Sequence, residues 1–117
     1  EGMFLDVMKN LTSEQKLVIL SLYNVYKKNQ DRKEISESEV FAQYKMIKKN
    51  KFRCNDIYMD EFLEIVRSLV EFGVIEIKKN TKSKVLYKIK KTIEELELIY
   101  SEDFIFKIME GGLSERE

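Results

Sequence analysis

The spacing of apolar residues changes at Gly73, and this change constrains the fold more than any other feature. Before Gly73, apolar residues recur along one helical face: Met59, Phe62, Leu63, Val66, Leu69 and Val70. After it, apolar residues alternate with mostly polar ones in 74–79 and 84–90, which predicts two β-strands. Turn-prone residues 80–83 join them, so the pair is predicted to be a hairpin. An isolated hairpin is only marginally stable in water, so this one must pack on helices.

Capping-box spacings predict where the other helices begin. In each, Ser or Thr precedes Glu or Gln at the spacing of this motif: Thr12 with Gln15, Ser36 with Glu39, and Thr92 with Glu95. They predict a first helix over the apolar segment Leu17 to Tyr26, a second over 37–49, and C-terminal helices, the last capped by Ser101. The polar segment from Lys27 to Lys33 is predicted to be a connection.

The third helix is the one that ends at Gly73, a residue that takes the left-handed conformation without steric cost. Asp56 is its predicted N-cap, because an Asp side chain accepts hydrogen bonds from first-turn amides. We predict an α+β, mainly α, fold: a winged helix-turn-helix with a C-terminal β-hairpin wing and extra C-terminal helices. A length of 117 residues with 44% hydrophobic content suits one such domain.

The composition argues against catalysis and metal binding. The chain has no histidine, the commonest general base and metal ligand, and one cysteine, Cys54. A single cysteine forms neither an internal disulfide nor a cysteine-cluster zinc site, and it suits a reducing compartment. The longest uncharged apolar segment, Leu17 to Tyr26, is about half a membrane span. We therefore expect no catalytic residue, cofactor, metal or membrane contact.

Charge is distributed unevenly although the formal net charge is zero. Residues 45–91 carry thirteen basic and six acidic side chains, whereas residues 92–117 carry two basic and eight acidic ones. Residues 1–44 are nearly balanced, with six basic and seven acidic side chains. A basic middle next to an acidic end indicates the kind of partner better than the total does.

Two basic clusters are candidates for contact with phosphates. The predicted hairpin carries the first: Lys78, Lys79, Lys82, Lys84, Lys88, Lys90 and Lys91. The second leads into the third helix: Lys45, Lys48, Lys49, Lys51 and Arg53. Phosphate contact releases counterions and gains affinity at low salt. The alternatives are lysines that protect an edge strand from aggregation, and an ordinary solvated loop. The predicted DNA-binding residues are Lys78, Lys79, Lys82, Lys84, Lys88, Lys48, Lys49, Lys51, Arg53 and Arg67.

The third helix is a poor candidate for entering a DNA groove. Its predicted outward residues are Asp60, Glu61, Glu64, Arg67, Ser68 and Glu71. Acidic side chains repel a groove lined by phosphates, although Arg67 can bond a guanine edge. The wing is therefore the better DNA candidate, or else the third helix faces a protein.

Two further features have both a structural and a functional interpretation. Tyr58 and Tyr87 can stack on bases, but aromatic residues at such spacings more often belong to a core. Acidic residues after Thr92 either favour helix N-termini or dock a basic partner surface.

Four segments carry a family resemblance: Leu11–Leu17, Val40–Tyr44, Leu69–Ile75 and Ile108–Leu113. In order and spacing they resemble the C-terminal winged-helix domain of the replication-initiator AAA+ proteins. These proteins are the largest subunit of the origin recognition complex and its paralogue, the cell-division-cycle-six protein. The resemblance extends over about residues 5–113.

The resemblance implies one domain of a larger protein. Residues 1–10 would lead in from a preceding AAA+ module, residues 11–113 would form the winged-helix domain, and 114–117 would be a disordered tail. The sequence has no glycine-rich loop ending in Gly-Lys-Ser/Thr, so this fragment is expected neither to bind nor to hydrolyse ATP.

The resemblance also implies partners and a location. The family's domain helps to encircle origin DNA and contacts the minichromosome-maintenance helicase during its loading, in the nucleus. Double-stranded DNA, this helicase and other origin recognition complex subunits are the expected partners of a monomeric domain. Two other hypotheses stay open: a module that docks the helicase or another initiator subunit without binding DNA, and an unrelated, dimeric transcriptional regulator.

Overall fold

The computed structural model describes residues 10–29, 32, 34–92 and 94–95. In chain order these contain α1 (Ser13–Lys28), β1 (Glu34–Ser36), α2 (Glu37–Lys51), α3 (Met59–Glu71), β2 (Ile75–Lys79) and β3 (Val85–Ile89). The predicted fold class is confirmed, since three helices precede a hairpin and the domain is mainly helical. No helix among these residues is long and apolar enough to cross a membrane.

Helix α1 begins at a complete capping box and forms the centre of the domain. The Thr12 hydroxyl accepts a hydrogen bond from the Gln15 amide at 3.2 Å, and the Gln15 side chain accepts one from the Thr12 amide at 2.7 Å. Most of its side chains from Leu17 to Val25 are buried, because α2 and α3 both pack against this helix. An apolar surface nearly all round suits a helix in that position.

Helix α2 begins where the sequence predicts and continues two residues beyond the predicted end at 49. The Ser36 hydroxyl accepts hydrogen bonds from the backbone amides of Ser38 and Glu39. These bonds satisfy two amides that have no partner inside the helix.

The predicted start of α3 is wrong. Its N-cap is Tyr58 and not Asp56, and no side chain caps the first turn. Asp60 and Glu61 lie in that turn instead, where their negative charge favours the positive end of the helix dipole. This electrostatic contribution does not depend on a capping side chain at position 56.

The predicted end of α3 is confirmed. Gly73 has φ of 78°, and the amides of Gly73 and Val74 donate to the carbonyls of Val70 and Leu69 at 3.0 Å. This pair of bonds is a Schellman motif, which reverses the chain direction at a left-handed residue. The chain therefore enters β2 two residues after Gly73.

The hairpin is confirmed, and it belongs to a three-stranded antiparallel sheet in which β3 lies between β1 and β2. Tyr87 of β3 lies opposite Ile35 of β1 and Ile77 of β2. The sequence did not predict β1, because a strand of three residues with one apolar side chain has no alternating pattern to detect.

The core lies between the three helices and one face of the sheet. Its largest fully buried side chains are Tyr87, Phe62, Ile19, Leu22, Ile35, Leu69, Ile75, Val18 and Val40. On β2, Ile75 is buried and every later residue of the strand is exposed. The far end of the hairpin therefore projects beyond the core into solvent.

The capping box at Thr92 is also present. The amides of Glu95 and Thr92 donate to each other's side chains at 3.0 and 2.9 Å. The apolar residues of the predicted C-terminal helices, the Ser101 cap and the segment Ile108–Leu113 lie outside the described residues.

Candidate nucleic-acid interface

The tip of the wing is a hydrogen-bonded turn that holds three lysines in solvent. We use the name "wing tip" for residues 79–84. The Asn80 side-chain oxygen accepts hydrogen bonds from the backbone amides of Lys82 and Lys84 at 2.9 and 3.0 Å. Ser83 has φ of 63°, and its amide donates to the Asn80 carbonyl at 2.9 Å. Lys79, Lys82 and Lys84 are exposed and form no ion pair in the described part of the chain.

The outer face of the sheet carries lysines next to carboxylates. The Lys78 ammonium lies 3.1 Å from a carboxylate oxygen of Glu34, and that of Lys90 lies 3.7 Å from Glu76. Lys88 lies between these two glutamates in the strand register, opposite Glu34 on β1 and opposite Glu76 on β2. The base of the wing is therefore close to neutral, unlike the wing tip.

At the end of α2, Lys48 is part of the fold. Its side chain is only 15% exposed, and its ammonium donates to both oxygens of the Glu14 carboxylate at 3.1 Å. The same carboxylate accepts a 2.6 Å hydrogen bond from the Tyr44 hydroxyl, and the Lys48 ammonium lies 5.5 Å from the centre of the Tyr44 ring. Lys48 thus ties α2 to the start of α1, a contact that the sequence could not show.

The other cations of that cluster are accessible. Lys49 and Arg53 are exposed and Lys51 is half-buried, and none forms an ion pair within the described residues. Lys45 is also exposed, with its ammonium 4.8 Å from the centre of the Phe41 ring. This end of α2 therefore presents several cations on one short stretch of chain.

The outer face of α3 is acidic, as the sequence predicts. Asp60, Glu61, Glu64 and Glu71 are exposed, with Arg67 as the exposed cation of this helix. Ser68 is not outward, so this prediction is wrong. Its hydroxyl donates to the Ile65 carbonyl at 2.6 Å and accepts a 2.9 Å bond from the Gln15 side chain.

The structure separates the aromatic side chains into two groups. Tyr87 is fully buried, and its hydroxyl donates to Glu37 at 2.8 Å, so it belongs to the core as predicted. Burial, followed by the bonds to glutamate, raises the pKa values of Tyr44 and Tyr87 well above that of a free phenol.

Tyr58 is 57% exposed, so the interpretation that it belongs to the core is wrong. Phe52, which the sequence analysis missed, is also exposed.

No group of Cys, Asp and Glu side chains among the described residues is placed to hold a metal ion. Cys54 is half-buried and its thiol lies 3.9 Å from the Asp56 carbonyl oxygen.

Comparisons with known proteins agree with this geometry. The family described as CDC6, C terminal winged helix domain matches residues 6–101. The structure of Cdc6p from Pyrobaculum aerophilum is similar with a TM-score of 0.69 and 20% sequence identity, over 93% of this chain and 26% of that one. Drosophila ORC bound to DNA is similar with a TM-score of 0.67 and 8% identity, over 81% of this chain and 24% of that one.

The chain thus spans about a quarter of the length of these two relatives. At these identities the structural likeness shows the winged-helix fold. No curated protein matches the chain in sequence.

Proposed function

This chain belongs to the family of C-terminal winged-helix domains of Cdc6, and from that premise we propose that it binds origin DNA in replication initiation, mainly through phosphate contacts of the wing tip. A winged-helix domain alone is not catalytic. The ATPase activity implied by the family resemblance would belong to a preceding AAA+ module and not to this domain.

One observation carries the proposal: the wing-tip lysines are exposed and form no ion pair with any residue that the structure describes. Their ammonium groups break no described ion pair when they meet a phosphate, and each contact releases counterions from the duplex. The turn around Asn80 fixes the backbone that carries Lys82 and Lys84, so little backbone conformational entropy is lost on binding. DNA is also the ligand of the structurally similar Drosophila ORC.

We propose a second, weaker phosphate contact at the end of α2. Lys49, Lys51 and Arg53 are available there, whereas Lys48 is held by Glu14. The exposed carboxylates of α3 oppose close approach of a groove, so α3 is not proposed to read bases deeply. The contacts are with the backbone, and such contacts position a protein without reading sequence.

Binding of a short duplex at low and at physiological salt tests the proposal. We expect Lys82→Gln with Lys84→Gln to weaken binding and to reduce the slope of log K against log salt by about two, or one for each phosphate lost. The matched control is Lys27→Gln with Lys28→Gln, which removes two exposed cations from the last turn of α1. An equal loss in both variants would refute the role of the wing tip.

The acidic face of α3 favours a second function, compatible with the first. Asp60, Glu61, Glu64 and Glu71 form no ion pair with a described residue, and such a face suits a basic surface on the replicative helicase or another initiator subunit. Capture of the helicase that Glu64→Lys and Glu71→Lys abolish would support this function. Capture that survives both changes would count against it.

Three family-based predictions complete the proposal. The isolated domain is expected to be a monomer, and a dimer in sedimentation would favour the transcriptional-regulator hypothesis. The AAA+ module is expected to precede residue 11, and the location is expected to be nuclear.

A further inference from the structure

Two aromatic rings stand in solvent at the two ends of the segment that joins α2 to α3. Phe52 follows the last residue of α2 and is 43% exposed, and Tyr58 precedes the first residue of α3 and is 57% exposed. Tyr58 is the most exposed large apolar side chain of the described residues. Neither ring belongs to the buried core, so both are accessible to a ligand.

Cations flank Phe52, whereas the charged residues nearest to Tyr58 in the sequence are Asp56 and Asp60. Lys49 and Lys51 lie just before Phe52, and Arg53 follows it. Asp56 is the acidic residue of this segment, and it forms no ion pair with a described residue. An exposed ring beside cations that form no ion pair with a described residue suits a ligand that is both flat and anionic.

The segment is held in place before any ligand arrives. The amides of Phe52 and Cys54 both donate to the Lys48 carbonyl, at 3.2 and 3.0 Å. Arg53 has φ of 56°, a left-handed conformation that is uncommon for a residue with a side chain. This turn fixes the direction in which the chain leaves α2, and the first turn of α3 fixes Tyr58, whose carbonyl accepts from the Phe62 amide.

A groove lined in part by residues near Phe52 and Tyr58 in the sequence supplies polar groups for base edges. It lies between the end of α2 and the joining segment and is lined by Ala42, Lys45, Met46, Lys49, Asn50, Asn55 and Ile57. The Asn50 and Asn55 amides are exposed, and each has both a donor and an acceptor.

We propose that the segment from Phe52 to Tyr58 binds unpaired nucleotides of single-stranded DNA. The rings stack on bases, while Lys49, Lys51 and Arg53 contact the phosphates between them. An apolar protein partner would bury these cations without a counter-charge, which is costly. A nucleic-acid strand satisfies them and covers the rings in the same contact. The proposal goes beyond duplex binding: it shares Lys49, Lys51 and Arg53 with the weaker duplex contact at the end of α2, and its two rings belong to neither duplex contact.

Phe72 provides an internal comparison. It is 47% exposed, as accessible as Phe52, but it lies next to Glu71 and Gly73 at the end of α3. Lys51 and Arg53 flank Phe52 in the sequence, whereas no cation flanks Phe72, so Phe72 is not expected to bind a strand.

Fluorescence anisotropy of a labelled oligothymidine, measured beside a duplex with the intact 117-residue chain, tests the proposal. We expect Tyr58→Ala and Phe52→Ala each to weaken oligothymidine binding about tenfold, the size of one lost base stack. Tyr58→Phe keeps a ring and should keep the affinity for oligothymidine. Binding should quench tyrosine fluorescence less in this variant, because the ring that stacks is no longer a tyrosine. Phe72→Ala is the matched control and should bind as the unchanged protein does.

The duplex measurement separates this proposal from the proposed function. Duplex affinity should change less than about twofold in the ring variants, because phosphate contacts dominate it. No binding of oligothymidine, unchanged binding by Tyr58→Ala, or an equal loss in Phe72→Ala would overturn the stacking site. Displacement of oligothymidine by a polyglutamate peptide of equal charge would also overturn it, since charge alone would then account for binding.

Discussion

The wing tip and the C-terminal turn of α2 both carry lysines, yet their lysines have different roles. At the wing tip, the Asn80 side chain bonds to the backbone, so Lys82 and Lys84 are left to solvent. At the end of α2, Lys48 contacts Glu14 and the Tyr44 ring and is mostly covered. The difference teaches that a cluster of basic residues in a sequence identifies candidates for phosphate contact, while long-range packing decides which of them are available.

The largest expected effect is the loss of folding stability at high pH, which comes from Tyr44 on α2 and Tyr87 on β3 and not from the wing tip. Burial raises the pKa values of Tyr44 and Tyr87 in the folded chain. The neutral phenols therefore stabilise the fold fully below pH 10.0, the usual phenol pKa, and this stabilisation is lost as the pH rises above that value. We expect each tyrosine to cost about 1 kcal/mol of unfolding free energy per pH unit in that range. Absorbance titration should show that Tyr44 and Tyr87 ionise only as the chain unfolds. Ionisation of both before loss of helical circular dichroism would contradict this packing.

Lys48→Ala should destabilise the fold by about 2 kcal/mol, because it removes the ammonium that donates to the Glu14 carboxylate and lies beside the Tyr44 ring. Urea unfolding measures this change, and Lys49→Ala, at the exposed neighbouring position, is the control with a change within about 0.5 kcal/mol. The folded Lys48→Ala protein should bind a duplex nearly as the unchanged protein does. A large loss of duplex affinity without a loss of stability would mean that Lys48 contacts DNA after all.

The smallest expected effect concerns Lys78, at the base of the wing. An exposed ion pair contributes little, and Glu34 competes with a phosphate for this ammonium. Lys78→Gln should therefore lower duplex affinity less than about threefold, and Glu34→Gln should raise it slightly at low salt. If Lys78→Gln has as large an effect as changes at Lys82, the proposed distinction between tip and base is wrong.

Local signals in the sequence were sufficient for the helices and the hairpin. The caps at Thr12 and Ser36, the left-handed Gly73 and the alternation in the hairpin each involve residues a few positions apart. Such short-range patterns determine where an element begins and ends. The start of α3 is the exception, since first-turn charges there take the place of a capping side chain.

What the sequence could not predict involves residues far apart in the chain. Strand β1 exists because Ile35 pairs with Tyr87. Lys48 and Glu14 are 34 positions apart, and their ion pair removes one of the predicted DNA-binding residues from the accessible surface. The exposed pair Phe52 and Tyr58 was also hidden, because an aromatic residue in a sequence gives no sign of its own burial.

Backbone amide chemical shifts during titration with a duplex test the central claim most directly. The account predicts the largest shifts at Lys82, Ser83 and Lys84, smaller ones near Lys49 and Arg53, and almost none along the outer face of α3. Shifts concentrated at Glu61, Glu64 and Arg67, with an unaffected wing tip, would contradict it.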